Sequence, residues 1–234
     1  MELFVGTSGW YYDWNEELTL DWYLNNSGLN AIELNASFYR FPFPNQVKSW
    51  AKKGSKLHWA VKVHRLITHQ YKFSDLALKT WQRFSVLFAP LEEYIDYYLF
   101  QLPPSLTSKS RDKITSFLEK ISINQKIALE FRHETWFNEE NLKWAKSLGL
   151  TIVSIDAPEF TRAIFKTTKD VYLRMHGRTS WYCHNYTKDE LNEIARKILQ
   201  AKAERIYVFF NNDHNMLNNA RAMFVLLKNW LKGI

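Results

Sequence analysis

The chain has 234 residues, of which 46% are hydrophobic, so it can bury a large core, and its length is typical of one (β/α)8 barrel. No apolar run reaches the roughly 20 residues of a membrane helix, and the single cysteine, Cys183, excludes an internal disulfide. We therefore expect a cytoplasmic protein with no membrane partner. The net charge of +7 permits an anionic partner, although the lysines and arginines form no basic block.

Eight apolar runs are predicted to form β-strands, and no repeat, low-complexity tract or linker divides them. Their alternation with helical patterns favours a parallel sheet joined by right-handed crossovers within a single domain, residues 1–234. The predicted strands are Leu3–Thr7, Ala31–Asn35, His58–His64, Tyr97–Gln101, Lys126–Arg132, Thr151–Asp156, Val171–His176 and Arg205–Phe210.

Helices are predicted between most of these strands from apolar stripes and cap residues. The segment Pro158–Lys169 has no helical stripe, so the sixth crossover is expected to be an irregular loop. The predicted helices are Asn45–Lys53, a long segment Asp75–Glu93 broken or ended near Pro90, Lys109–Ile121, one that begins after Asn138, one that opens with the capping box of Thr187 and Glu190, and about Asn219–Trp230.

Five of the strands end in two polar residues spaced i, i+2 with an apolar residue between them. Residues two apart in a strand point to the same face, so each pair shares a face. Polar inner faces near the C-terminal ends of strands are typical of a barrel with an active site. We therefore predict an α/β fold made of one TIM-type (β/α)8 barrel with a polar mouth. The pairs are Glu33 and Asn35, Lys62 and His64, Glu130 and Arg132, Ser154 and Asp156, and Arg174 and His176.

The charged members of these pairs are predicted to meet in the mouth and to carry the chemistry. Candidate catalytic groups for acid–base chemistry are Glu33, Glu130, Asp156 and His176. The bases Lys62, Arg132 and Arg174 are candidates to hold a small anionic or phosphorylated substrate. Further candidates for substrate binding, from strand ends and the loops after them, are Trp10, Tyr39, His69, Gln101 and Asn211.

Other interpretations of the same residues stay open. The acids and bases could neutralise one another in a charge lattice that only fills the mouth of a non-catalytic scaffold. Positive charge and abundant aromatic residues also permit a nucleic-acid binding or processing protein, similar to a metal-dependent endonuclease. A divalent metal is disfavoured because the neighbouring bases would repel it, and the sequence assigns no cofactor. The loop Arg178–Tyr186 is either an aromatic lid over the cavity or a loop packed on the rim.

Seven phrases of the sequence together resemble the domain of unknown function 72 (YecE-like) family over about residues 3–228. They are GTSGW, IELNASFYRFP, AVKVHRLITH, LFQLPPS, LEFRHETW, YLRMHG and the final FFNN. The resemblance implies a (β/α)8-type barrel without an established activity, similar in fold to metal-dependent sugar isomerases and abasic-site endonucleases. Lys62, Thr68 and His69 match the family's third motif, whereas His64 stands at a variable place in it.

Overall fold

A closed barrel of eight parallel strands forms the centre of the molecule, in a computed structural model that describes residues 1–121, 123 and 125–233. Neighbouring strands pair in chain order, and the last strand pairs with the first from Glu2 opposite Arg205 to Thr7 opposite Phe210. This confirms the predicted TIM-type barrel. The strands are β1 Glu2–Thr7, β2 Ala31–Leu34, β3 His58–Lys62, β4 Ile95–Gln101, β5 Ile127–Glu130, β6 Thr151–Asp156, β7 Asp170–Met175 and β8 Arg205–Phe210.

Helices cover the outside of the barrel. The six predicted helical segments correspond to α3 to α8. The long predicted segment is divided because a 3-10 helix, Ala89–Tyr94, begins where Pro90 interrupts the helical pattern. Residues 157–169, between β6 and β7, form no helix, as predicted. The helices are α1 Leu20–Asn26, α2 Ala36–Tyr39, α3 Pro44–Lys53, α4 Asp75–Phe88, α5 Arg111–Ile121, α6 Glu139–Ser147, α7 Lys188–Gln200 and α8 Met216–Lys232.

Caps explain where several helices begin. Asn138 accepts a hydrogen bond from the backbone N–H of Asn141 at the start of α6, and Thr187 and Glu190 form the predicted capping box of α7. The short helices α1 and α2 were not predicted. Among the described helices, none has the combination of length and apolarity that crossing a membrane requires.

Side chains from the strands divide between two apolar cores. One core lies between the strands and the helices, and the other lies inside the barrel. Inside, the rings of Phe4, Tyr97, Tyr172 and Tyr207 pack with neighbouring centroids 4.7–6.2 Å apart and close the lower part of the barrel. The inner core consists of Phe4, Ala31, Ala60, Tyr97, Leu99, Ala128, Val153, Ile155, Ala157, Tyr172, Tyr207 and Phe209.

The predicted orientation of β6 is wrong. Val153 and Ile155 belong to the inner core, so Ser154 and Asp156 point outward. There Ser154 Oγ accepts a hydrogen bond of 2.8 Å from the backbone N–H of Phe165. Both faces of a barrel strand are buried, so a polar residue fits on either face wherever it finds a partner. The irregular sixth crossover supplies that partner on the outside.

Gly6 allows β1 and β2 to approach each other closely. A Cβ at Gly6 would lie 2.2 Å from the carbonyl oxygen of Ala31. We expect Gly6→Ala to lower the free energy of unfolding by about 3 kcal/mol or more, because the clash is with backbone rather than with a movable side chain. Urea denaturation measures the loss.

Gly28→Ala is the comparison for this experiment. Gly28 has a φ of +71°, and a Cβ there meets nothing within 4 Å, so only the left-handed backbone is penalised, by about 1–2 kcal/mol. Equal losses in Gly6→Ala and Gly28→Ala would contradict the close approach of the two strands.

Candidate active site at the barrel mouth

Arg174, on the inner face of β7, lies between two carboxylates from β2 and β5. Its Nε and Nη2 donate to Glu33 Oε1 at 3.1 and 2.7 Å, and its Nη1 donates to Glu130 Oε2 at 2.5 Å. All three side chains are 0% exposed. Buried charges persist only when they are paired and hydrogen-bonded, and both conditions are met here. Three of the predicted site residues therefore form one buried ion network.

Two hydroxyl groups complete the hydrogen bonding of Glu33. Ser8 Oγ donates to Oε1 at 2.8 Å, and Tyr172 Oη donates to Oε2 at 2.7 Å. Burial and the Glu33 charge raise the pKa of Tyr172 well above its usual value, so the phenol remains a donor. Sequence analysis missed Tyr172, although its place two residues before Arg174 put it on the same face of β7.

Glu130 is held ionised by two arginines. Arg132 contacts Glu130 Oε1 through Nη2 and through Nε at 2.5 Å, and Arg174 holds the other oxygen. Burial alone would raise the pKa of Glu130, but the charges of Arg132 and Arg174 outweigh it and hold the pKa well below its usual range. An acid this strongly ionised is a poor proton donor at neutral pH.

Gln101, predicted for substrate binding, lies opposite Glu130 in the register of β4 and β5.

His176 is buried beside this network. Its Nε2 lies 3.3 Å from Arg132 Nη2 and 3.9 Å from Glu130 Oε2, and its Nδ1 lies 3.3 Å from Asn211 Nδ2. Burial and the Arg174 charge lower the pKa of His176 to about 3. The imidazole is therefore neutral near pH 7. Its Nε2 contact with Arg132 helps to fix the position of that side chain, and the role of His176 in proton transfer stays a prediction.

Lys62, the last residue of β3, is the one charged group of this cluster without an opposite charge in contact. Its residue is 7% exposed, and its Nζ lies 4.1 Å from the centroid of the Phe38 ring. Within the described ranges, no carboxylate oxygen comes within 4 Å of this nitrogen. Burial and the Arg174 charge lower the pKa of Lys62 to about 7.

His64 does not form the inward-facing pair with Lys62 that was predicted. The strand ends at Lys62, and the His64 ring packs on Phe41 with the centroids 4.6 Å apart.

His69 also packs against the Phe38 ring, edge to face, with the two centroids 5.0 Å apart. It belongs to a π-helical turn, Leu66–Gln70, a distortion that is frequent at functional sites. Burial and the Lys62 charge lower the pKa of His69 to about 4, and its Nδ1 lies 2.8 Å from Thr68 Oγ1. The mouth thus presents two neutral imidazoles near a lysine of unusually low pKa.

A cavity of about 470 Å³ adjoins the charged cluster at the ends of β1 and β2. Ser8 and Asn35 line it and also contact the cluster, since Asn35 Oδ1 accepts from Arg174 Nη2 at 3.4 Å. Its volume is within the range of small-molecule sites. The aromatic residues of its lining, two of them predicted for substrate binding, are Trp10, Tyr11, Tyr12, Tyr39 and Trp50.

The loop Arg178–Tyr186 packs over the opposite side of the mouth. The Trp181 ring centroid lies 4.8 Å from the guanidinium carbon of Arg132 and 5.2 Å from the His176 ring. Asp156 holds this loop from outside the barrel, because it accepts from Tyr186 Oη at 2.8 Å and from Arg178 Nε at 3.2 Å. Asp156 was predicted to meet Glu33 and Glu130 in the mouth. It lies apart from them, on the outer face of β6.

The charged cluster does not fit a divalent metal. The Arg174 guanidinium fills the space between Glu33 and Glu130 and uses the oxygens that a cation would need. Across the part of the chain that the structure describes, no group of three or more His, Cys, Asp and Glu side chains is arranged to hold an ion. The carboxylates act here as partners of arginine.

The fold and the cluster define a TIM barrel whose polar groups converge at the C-terminal ends of the strands, where enzymes of this fold carry their active sites. The family model "Protein of unknown function DUF72" matches residues 4–232, and the chain belongs to this family. The resemblance inferred from the seven phrases is thus confirmed. No curated protein sequence matches the chain.

Three solved structures illustrate the likeness. A DUF72 family protein from Thermotoga maritima is 24% identical, with a TM-score of 0.84 over 99% of this chain and 100% of that chain. One from Enterococcus faecalis is 20% identical, with a TM-score of 0.82 over 97% and 98%. Endonuclease IV from Thermus thermophilus is 11% identical, with a TM-score of 0.57 over 100% and 99%. At these identities the likeness shows the fold alone.

Removing the charge of Glu130 should destabilise the folded protein. Glu130→Gln leaves Arg132 and Arg174 with too little negative charge in a buried place, so we expect a loss of about 3–5 kcal/mol in the free energy of unfolding. Denaturant unfolding at low and high salt measures it, and the loss should persist in salt because the group is buried.

Glu140→Gln is the matched control for Glu130→Gln. Glu140 also pairs with an arginine, Arg111, but its side chain is 76% exposed, so its loss should cost less than about 1 kcal/mol and fade in salt. Similar costs for the two variants would contradict a buried network at the mouth.

The lowered pKa of Lys62 predicts a specific pH dependence of stability. Its folded-state pKa is below its unfolded value, so the unfolded chain binds more protons between about pH 7 and pH 10, and stability rises with pH in that window. Lys62→Met removes this effect. Relative to Lys62→Met, wild type should gain ~3 kcal/mol between about pH 7 and pH 9.5. Parallel stability curves for the two proteins would show an ordinary lysine pKa.

Proposed function

We propose that this protein is an enzyme that acts on a small anionic or phosphorylated substrate by acid–base chemistry at the barrel mouth. The observation that carries the proposal is the unpaired Lys62. Glu33 and Glu130 are balanced by Arg174 and Arg132, so the Lys62 ammonium is the positive charge in surplus. A buried cation with no anion beside it is costly, and an anionic ligand would supply the missing partner.

Arg132 is the second group that favours an anion. Its Nε and Nη2 contact Glu130 and His176, while within the described residues no contact engages Nη1. The Arg132 guanidinium stacks on the Trp181 ring, and this contact fixes the plane in which Nη1 can donate. An oxyanion held by Arg132 would place the rest of the substrate near Lys62, whose pKa responds to the Arg132 charge.

Lys62 is the group whose pKa suits proton transfer at neutral pH. With a pKa of about 7, amine and ammonium coexist there, so Lys62 can take a proton from the substrate and return it. Glu130 stays ionised, and His176 and His69 stay neutral, which suits them to positioning and to hydrogen bonding. This distribution favours an isomerase-like or hydrolase-like reaction that begins with proton abstraction.

The shape of the mouth favours a small molecule over nucleic acid. The cavity beside the charged cluster is lined by aromatic rings of α2, α3 and the β1–α1 loop, and its volume of about 470 Å³ suits a single sugar-sized or nucleotide-sized group. Rings such as Trp10 offer an apolar face against which such a group can stack.

Binding of inorganic phosphate tests the proposal directly. We expect calorimetric titration of wild type at neutral pH to show one site, because a large fraction of Lys62 is present there as the ammonium. In Lys62→Met the affinity should fall at least about tenfold.

Two controls accompany the phosphate titration. Lys62→Arg keeps a positive charge and should retain most of the affinity, and Lys52→Met, which removes an exposed lysine of α3, should leave it unchanged. Equal phosphate affinity in wild type, Lys62→Met and Lys52→Met would contradict an anion site at the mouth.

A further inference from the structure

Lys62 differs in bonding from both other cations of the cluster. Arg174 and Arg132 each contact carboxylate oxygens through two or three nitrogens. Among the described residues, Lys62 Nζ forms no ion pair and no hydrogen bond, and it lies 4.1 Å from the centroid of the Phe38 ring. The charges of Glu130 and Glu33 favour the ammonium only from beyond ion-pair distance. The lone pair of the amine is therefore available when the proton leaves.

The surroundings of Lys62 make loss of that proton easy. The residue is 7% exposed, and its burial together with the Arg174 charge disfavours the ammonium more than the charges of Glu130 and Glu33 favour it. An apolar site and neighbouring cations are the two devices that activate a lysine amine as a nucleophile toward carbonyl groups. Arginine stays protonated at all relevant pH values, so Lys62 is the only one of these three bases that these devices can convert into a nucleophile.

We infer that Lys62 forms a covalent imine with the carbonyl carbon of an anionic aldehyde or ketone whose carboxylate or phosphate group is held by Arg132. This inference rests on the proposed function and adds to it the substrate class and the covalent step.

The step is balanced without any redox partner. The neutral Nζ attacks the carbonyl carbon, the C–N bond forms, and the carbonyl oxygen takes up a proton. Proton transfer from nitrogen to that oxygen and its loss as water then give the protonated imine, so the amine, the carbonyl and one proton taken from solvent yield the protonated imine and water. The cationic C=N bond accepts electrons from the adjacent carbon, which makes a proton or a carbon substituent there easier to remove. Hydrolysis by water returns the free amine.

The place of Lys62 relative to the cavity supports a carbonyl substrate of sugar size. Ser37, which lines the cavity, donates through Oγ to the backbone carbonyl of Lys62 at 2.6 Å. The Tyr39 ring, also in the lining, lies 5.0 Å from the Phe38 ring over which Nζ sits. Lys62 thus lies directly behind the Ser37 and Tyr39 side of the cavity lining, and the inference requires a substrate that extends from the cavity past the Phe38 ring to Nζ.

Borohydride trapping with pyridoxal 5′-phosphate, an aldehyde that carries a phosphate, tests the inference. Wild type, Lys62→Met and Lys62→Arg are each treated with the aldehyde at about pH 7.5 and reduced, and the labelled peptides are quantified by mass spectrometry. We expect Lys62 to be labelled at least about tenfold faster than the exposed Lys52 of the same molecules, because far more of its amine is neutral at this pH. Both variants should lose the fast phase, and inorganic phosphate should slow it in wild type.

The outcomes separate this inference from the proposed function. Slow labelling of Lys62, no faster than Lys52, in protein that binds phosphate as expected would overturn the imine and leave the anion site standing. Fast labelling of Lys62 that phosphate does not slow would support the nucleophile and overturn the part assigned to Arg132. Labelling with the same time course in wild type and Lys62→Arg, together with no phosphate binding, would overturn both.

Discussion

The organisation of the mouth depends on the burial of Arg174 between Glu33 and Glu130. A guanidinium that donates to both carboxylates ties β7 to β2 and β5 across the barrel, in a place where none of the three side chains contacts water. Such a network stabilises a fold only weakly compared with apolar packing. Removing one partner of the network, however, strongly destabilises the folded protein. Its presence fixes which of the neighbouring groups remain available for chemistry.

Because Glu33 and Glu130 are ion-paired with arginines, any acid–base chemistry or ligand binding at the mouth depends on other residues. Lys62 retains a surplus charge and a pKa of about 7, and Arg132 retains one free donor nitrogen. Glu33, Glu130, Arg174 and Arg132 form the charge lattice of the mouth, whereas Lys62 has no ion-pair partner among the described residues. The proposed anion site rests on this difference.

Much of this arrangement follows from the sequence. The apolar runs located all eight strands, and the period-2 alternation at the ends of β2, β5 and β7 placed Glu33, Glu130 and Arg174 on the inner face. The same rule would have found Tyr172. It failed on β6 because both faces of that strand are buried, and only the partners of Asp156, supplied by the loop after β7, decide its orientation.

The division of roles within the cluster was beyond sequence reasoning. Which carboxylate meets which arginine depends on distances across the barrel, and these set the pKa values of Glu130, His176 and Lys62. From the sequence, Lys62, Arg132 and Arg174 were equivalent anion-binding candidates, and Glu33, Glu130, Asp156 and His176 were the catalytic candidates. The structure distinguishes the three bases, because Arg174 and Arg132 are ion-paired with the glutamates and Lys62 is not, among the described residues.

A direct NMR titration of the Lys62 side chain, with isotope-labelled lysine and Lys62→Met to assign its signal, tests the central claim that this amine is unpaired and active near neutral pH. The account predicts a pKa of about 7 that moves upward when phosphate is added, since a bound anion stabilises the ammonium. A pKa near the ordinary lysine value of about 10.4, unchanged by phosphate, would contradict it.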